Sequence, residues 1–207
     1  MKYPAQLNFY NLLPLYMPDP ERVRVTYESL RVEDPQTPFP FWAQIWPAAK
    51  AMTAYLEKNP HWIQNKQVLE IGAGLGLPSF SIATKAQSIL VTDYDPEAVM
   101  YMEKNIDYTG YSNMKAMCLD WNQIPSSIAA DVVMLSDINY APEAFDVLLN
   151  LIRKFLQAGS IILLSTPQRI TITPFAESLQ PFIKESTLMN VEHLQQEVDI
   201  RILILSM

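Results

Sequence analysis

Cysteine is almost missing from this chain of 207 residues. Cys118 stands alone, which excludes an intrachain disulfide and is compatible with the reducing cytosol. In its apolar strand-like setting it reads as buried filler. Histidine is nearly as scarce: His61 and His193 are the two in the chain, and neither has a partner at metal-ligand spacing, so no metal site is expected. No apolar run approaches the roughly 20 residues a membrane span needs. The opening MKYPAQLNFYNLLPLYMPDP is broken by prolines and asparagine and makes a poor signal peptide. A cytoplasmic protein with no membrane partner is expected. Positive charge is also short, with 15 Lys and Arg against 22 Asp and Glu, a formal net charge of -7. That argues against a broad phosphate-binding surface and hence against a nucleic-acid partner. It permits a basic partner, such as a lysine side chain on another protein.

What is present belongs to a folded, soluble chain: 49% apolar and 18% charged residues. The length suits one domain with a small appendage. Residues 1–40 are rich in proline. Within them RVRVTYESLRVE alternates as a strand or hairpin would, and Pro35, Pro38 and Pro40 make a stiff connector. This segment reads as an arm packed on a main domain of residues 41–207. There the pattern becomes regular. PAAKAMTAYLEK is a helix with Pro47 in its first turn. KQVLEI, SILVTD, MKAMCLD, ADVVMLSD and SIILLS are strands. PSFSIATKA, PEAVMYMEKNIDY, EAFDVLLNLIRKFL (closed by Gly159) and a broken ITPFAESLQPF are helices. Strands alternating with helices of this length predict a parallel sheet with helices on both faces. IKESTLM and VDIRILIL follow one another without a helical crossover and must pair as an antiparallel hairpin at the sheet edge.

The stretch VLEIGAGLGLPSF carries the most chemistry. Gly72, Gly74 and Gly76 are spaced G-x-G-x-G, where a dinucleotide site wants G-x-G-x-x-G. Leu77 and Pro78 stand where the third dinucleotide glycine would be. Glu70 directly before the turn is a poor neighbour for a pyrophosphate and a good one for a cation. S-adenosylmethionine, with an ammonium, a sulfonium and no phosphate, fits these facts. Glu70 would help hold the ammonium, directly or through water, while Gly72, Ala73, Gly74 and Gly76 let backbone lie against the ligand. Asp93, ending a strand, would accept both ribose hydroxyls, with Tyr94 beside it. Asp120, ending the next, would accept from the adenine amino group, with Trp121 on the adenine face. Read singly, Asp93 is a helix cap (Asp95 is better placed for that), Asp120 a turn residue and Trp121 core. Three acidic strand ends after such a turn point jointly to a cofactor. Asp137 and Tyr140 leave the following strand at the same edge, beside Ser136. Asp137 alone also reads as a cap in the loop Asp-Ile-Asn-Tyr-Ala-Pro-Glu.

Four motifs resemble one family. IWPAA (45–49), VLEIGAGLGLPS, LDW (119–121) and LSDINY (135–140) are similar to the tryptophan segment, cofactor turn, tripeptide and D-x-x-Y motif of the seven-strand protein lysine methyltransferases, methyltransferase family sixteen. The resemblance covers roughly residues 39–165. PFWAQIWPAAKAMTAYLEKNP most resembles the branch acting on the β subunit of electron transfer flavoprotein. The resemblance implies a doubly wound, seven-stranded, Rossmann-like class I methyltransferase sheet. It also implies S-adenosyl-L-methionine as cofactor, with Trp46 and Ser136 near it, and a protein substrate with an accessible lysine. Asp137 would dock and orient the lysine amine, and Tyr140 would pack beside it. Arg169 after the fifth strand is a candidate partner contact. The competing readings are a methyltransferase for small molecules or RNA, a noncatalytic methyltransferase-fold binding module, and a nicotinamide dehydrogenase. The low basic charge and the lack of an N-P-P-[YF] tetrapeptide oppose an RNA-base substrate. The glycine spacing opposes the dehydrogenase.

Overall fold

The computed structural model describes residues 1–138, 142–167 and 174–207. The chain opens with an antiparallel hairpin, β1 (Ala5–Tyr10) and β2 (Leu13–Pro18), followed by helix α1 (Pro20–Glu33). After the connector come α2 (Pro47–Lys58), β3 (Gln67–Ile71), α3 (Leu77–Ile82), β4 (Ser88–Asp93), α4 (Pro96–Thr109), β5 (Met114–Cys118) and β6 (Val132–Ser136). Then follow α5 (Phe145–Gln157), β7 (Ile161–Pro167), α6 (Pro174–Leu179), β8 (Ile183–His193) and β9 (Gln196–Leu205).

The sheet order is β5-β4-β3-β6-β7-β9-β8. The first five strands are parallel, and β9 runs antiparallel to both neighbours. The expected doubly wound sheet and terminal hairpin are therefore present. Strand addition reverses between β3 and β6, and the crevice beyond the carboxyl ends there is where such sheets bind ligands.

Strand alternation divides the core. Val68 and Met134 pack with Ala51 and Met52 of α2 and Val99 and Met102 of α4 on one face. Leu69, Ile71, Val133 and Leu135 pack with Leu148, Ile152 and Phe155 of α5 on the other. Glu70 and Ser136 share the α2 side, two residues on from Val68 and Met134. A polar group on that face at the carboxyl end of the sheet is thereby steered under the glycine turn or toward the cleft.

The alternation in RVRVTYESLRVE does not make a strand; it is helix α1. Asp19 caps its start, its side chain accepting from Glu21 N at 2.9 Å and Arg22 N at 3.1 Å, and Pro20 sits in the first turn. Arg24 pairs with Glu21 and with Glu28 at 2.7 Å, the i,i+3 and i,i+4 neighbours of a helix surface. These helix-period pairs outweigh the period-two valines, of which Val23 is buried while Val25 is exposed. The hairpin docks on α4 through a buried amide: Asn105 accepts from Tyr16 N at 2.6 Å and donates to Tyr16 O at 3.1 Å. Tyr101 donates to Tyr3 O at 2.8 Å beside it.

Candidate active site

A cleft of about 700 Å3 opens at the switch point, within the range of small-molecule sites. Its floor is the turn after β3. Gly72, Gly74 and Gly76 all take positive φ, at 66°, 57° and 73°. Two of them are also pinned by space. A Cβ on Gly72 would lie 2.9 Å from Ile138 Cγ2, and one on Gly74 would lie 3.2 Å from the carbonyl oxygen of Trp42. Ala73 N donates to Thr92 O at 2.9 Å, tying the turn to β4.

The acidic strand ends meet this turn. Asp93 accepts from Gly74 N at 2.7 Å on Oδ2 and from Asp95 N at 2.9 Å on Oδ1. A carboxylate offers about four lone-pair sites, so acceptor capacity is left for a diol. Burial raises its pKa, opposed by the two N–H bonds and reinforced by the Asp95 charge. Capping of α4 falls to Asp95, which accepts from Glu97 N at 2.8 Å. That frees Asp93 from the cap role. Asp120 faces the cleft and accepts on Oδ1 from Asn122 N at 2.8 Å and Asn122 Nδ2 at 2.7 Å. Trp121 and the largely exposed Tyr94 also line the cleft, and Trp121 Cζ3 lies 3.7 Å from the position of a Gly72 Cβ.

The acceptor side begins at the end of β6. Ser136 lines the cleft, and its Oγ has no hydrogen-bond partner among the described residues. Asp137 follows in the left-handed region at φ 59°, its N–H donating to Ser165 O at 2.9 Å. Aspartate is among the residues that reach this region most readily, and the chain turns out of β6 there, at the cleft. Tyr140 and Arg169 lie outside the described residues. Trp46 also lines the cleft and donates from Nε1 to Phe41 O at 2.7 Å.

Glu70 stands back from the cleft. It is fully buried and does not line the cleft. Its Oε2 accepts from the Ser79 hydroxyl and from Ser79 N at 3.1 Å, at the start of α3. Burial pushes its pKa up to about 7, with the Ser79 bonds pulling down and Asp93 pushing further up. The reason is its position: it sits in β3 itself, on the covered face, so the carboxyl braces the turn from beneath. Its Oε1 is buried with no hydrogen-bond partner among the described residues. Cys118 also departs from expectation. It is exposed, because β5 is an edge strand, and its thiol donates to Tyr94 O at 3.2 Å. Among the described residues no group of His, Cys, Asp and Glu could hold a metal ion.

Sequence reading missed Phe39, Phe41 and Trp42, which line the cleft with Trp46. The signal was the aromatic density of FPFWAQIW directly after the connector.

The lining decides what fits. Asp93, Asp95, Asp120 and Asp137 face the cleft, and no lysine or arginine does among the described residues. A pyrophosphate would meet like charge. A cationic nucleoside would meet carboxylates, aromatic faces and a backbone without Cβ atoms in the way.

Known proteins agree. The family profile described as Lysine methyltransferase matches residues 28–187. The chain is 29% identical to calmodulin-lysine N-methyltransferase of Arabidopsis thaliana, over 73% of this chain and 52% of that one. It is 31% identical to the electron transfer flavoprotein beta subunit lysine methyltransferase of Mus musculus, over 63% of this chain and 51% of the other. The chain thus spans about half the length of these curated relatives. In fold it resembles the N-methyltransferase NodS of Bradyrhizobium japonicum in complex with S-adenosyl-L-homocysteine. That likeness has a TM-score of 0.62 at 14% identity and covers 87% of this chain and 98% of NodS. With that profile matched over most of its length, the chain belongs to the lysine methyltransferase family.

Proposed function

We propose that this protein transfers a methyl group from S-adenosyl-L-methionine to the Nε of a lysine on a protein substrate. The observation that carries this is the cleft lined by four aspartates and no cation among the described residues, in a chain of this family. The relatives' names specify calmodulin and the electron transfer flavoprotein β subunit as their own acceptors. For this chain the acceptor class, an accessible lysine on a protein, is taken from them. A cytoplasmic setting belongs to the same reading and rests on the single cysteine. Among the described residues no helix is long and apolar enough to cross a membrane.

When bound, S-adenosylmethionine supplies an electrophilic methyl group on a sulfonium. The residues that would hold it are those of the turn, Asp93 for the ribose, and Asp120 with Trp121 for the adenine. Asp137 then works on the acceptor. A lysine reaches the cleft as an ammonium, and at pH 7 roughly one in 2,000 such groups is neutral. The Asp137 carboxylate draws the cation in and aligns it through a charge-assisted hydrogen bond. The same bond raises the amine pKa, so Asp137 favours docking over deprotonation. Release of the proton to water, or through Asp137, must follow before the lone pair is usable. Alignment accounts for most of the rate, on the order of 7–11 kcal/mol in favourable systems. Tyr140 is proposed to flank the amine.

The test is transfer of a radiolabelled methyl group to a lysate depleted of this protein, followed by acid hydrolysis of the labelled protein. Label in Nε-methyl-lysine is expected. Label confined to small molecules or nucleic acid would overturn the reading.

A further inference from the structure

The terminal hairpin has one covered face and one bare face. Met189 and Val191 of β8 and Val198 of β9 pack against the core. On the other face Leu188, Asn190 and Glu192 of β8 and Glu197 and Asp199 of β9 are exposed. The hairpin also outruns its sheet. The last β7–β9 pair toward the cleft edge is Pro167 with Ile200. Beyond it β8 and β9 continue alone for four pairs, from Asn190 with Asp199 to His193 with Gln196. This ribbon stands about 13 Å past the carboxyl end of β7, on the edge at which the cleft opens. It is tied down beside the cleft: Lys50, next to the cleft-lining Ala49, donates from Nζ to Glu192 O at 3.0 Å. The charge of the bare face is one-sided. Glu192 and Glu197 stand directly opposite each other across the two strands, with Asp199 two residues on. From Glu185 to Ile200 there is no lysine or arginine. Neither glutamate forms an ion pair among the described residues. Burial and the Lys50 charge hold the His193 imidazole below its ordinary pKa, so it brings no counter-charge at neutral pH. Like charges directly opposite destabilise a strand pair, so this arrangement costs the fold rather than serving it.

We propose that the bare face of the β8–β9 hairpin docks a basic segment of the protein substrate, a short way along its chain from the lysine that is methylated. This rests on the lysine reading above and narrows the substrate class to proteins whose target lysine has further lysines or arginines near it. Charge complementarity selects the occupant. A cationic segment relieves the repulsion between Glu192 and Glu197, and the exposed Leu188 gives the apolar stems of lysine and arginine a surface to lie on. A second copy of this chain, meeting the face with its own, would set the same carboxylates against each other. A nucleic acid would bring phosphates to them. The spacing also fits. Three strand intervals separate β8 from β6, the strand that leads into Asp137, a distance of about 14 Å. An extended chain crosses that in about four residues. Cations four or more residues from the target lysine therefore reach the hairpin while the lysine occupies the cleft.

The experiment compares the full chain with a triple variant, Glu192→Gln, Glu197→Gln and Asp199→Asn. A control variant, Glu57→Gln, Glu103→Gln and Asp107→Asn, loses the same charge from exposed positions elsewhere. A fluorescent octa-arginine peptide is titrated into each protein saturated with S-adenosylhomocysteine, and binding is read by anisotropy. The triple variant should bind it about five-fold more weakly than the parent and the control, with S-adenosylhomocysteine affinity the same in all three. In the lysate assay the triple variant should methylate the same protein about five-fold more slowly, and the gap should close in about 0.5 M salt. Its melting temperature should be no lower than the parent's, because a like-charge pair has been removed. Glu197→Gln alone should show a smaller loss in the same direction. Equal peptide binding or equal labelling by parent and triple variant, an equal loss in the control, or a loss that persists at high salt would overturn the docking face and leave the lysine reading standing. So would a lower melting temperature, which would give the carboxylates a role in the fold, or a dimer of the parent that the triple variant loses, which would give the face to a second copy. Absence of Nε-methyl-lysine from the proteins labelled by the parent would overturn both.

Discussion

The two halves of the cleft are built differently. The half formed by the turn, β4 and β5 is fixed by backbone hydrogen bonds: Gly74 N and Asp95 N on Asp93, Asn122 N on Asp120, Ala73 N on Thr92 O. The lining from residues 39–46 is fixed by ring contacts and one indole donor. Backbone donors have almost no freedom to re-aim, which suits a ligand that is always the same. Ring contacts prefer certain geometries but repack more readily than backbone donors re-aim. The rigid half should fail by losing cofactor affinity, and the Asp137 side by losing turnover.

The sharpest break is Asp137→Ala. Methyl transfer should fall about 10²–10⁴-fold in the radiolabel assay, with S-adenosylmethionine affinity changed little. Next is Asp93→Ala, which removes the ribose acceptor and the brace on Gly74 together. Cofactor affinity should weaken about 10–100-fold by calorimetry. Gly74→Ala combines φ of 57° with a Cβ 3.2 Å from Trp42 O. It should cost about 1–3 kcal/mol of stability, measured by denaturant unfolding, and weaken cofactor binding. The last is Glu70→Gln, whose effect shows only as a change with pH. Glu70 ordinarily titrates near 4.5, and burial pushes it up to about 7. The folded state therefore holds the proton more tightly. Its contribution is complete below about pH 4.5 and is lost as pH rises through about 7. Asp93 shifts in the same direction. The parent should be more stable at pH 5 than at pH 8, and glutamine should flatten that slope by roughly 1–3 kcal/mol. An equal slope in parent and variant would remove Glu70 from the account.

The rigid half was also the more legible one. β3, β4 and β6 are short apolar runs with a carboxylate at or next to their carboxyl ends, and period and punctuation alone locate them. The turn announced itself by G-x-G-x-G. What failed was whatever depends on a neighbour's position. Val23 and Val25 alternate as in a strand, but the Asp19 cap and the Arg24 pairs act through helix geometry that a period-two count does not see. Glu70 sits in line with the turn in sequence, yet its side chain leaves the sheet on the covered face. Cys118 occupies a strand, and its exposure follows from β5 being at the edge, which strand order decides. Phe39 and Phe41 have no periodic pattern, and their place in the cleft follows from the connector's path. The D-x-x-Y motif was legible as a resemblance; Asp137 stands at the cleft, while Tyr140 lies outside the described residues.

The most direct measurement is calorimetric titration of S-adenosylmethionine into the parent, Asp93→Ala and Asp137→Ala proteins. A cleft divided between a cofactor half and an acceptor half predicts binding by the parent, near-equal binding by Asp137→Ala, and much weaker binding by Asp93→Ala. Unchanged affinity in Asp93→Ala, or an equal loss in Asp137→Ala, would contradict that division.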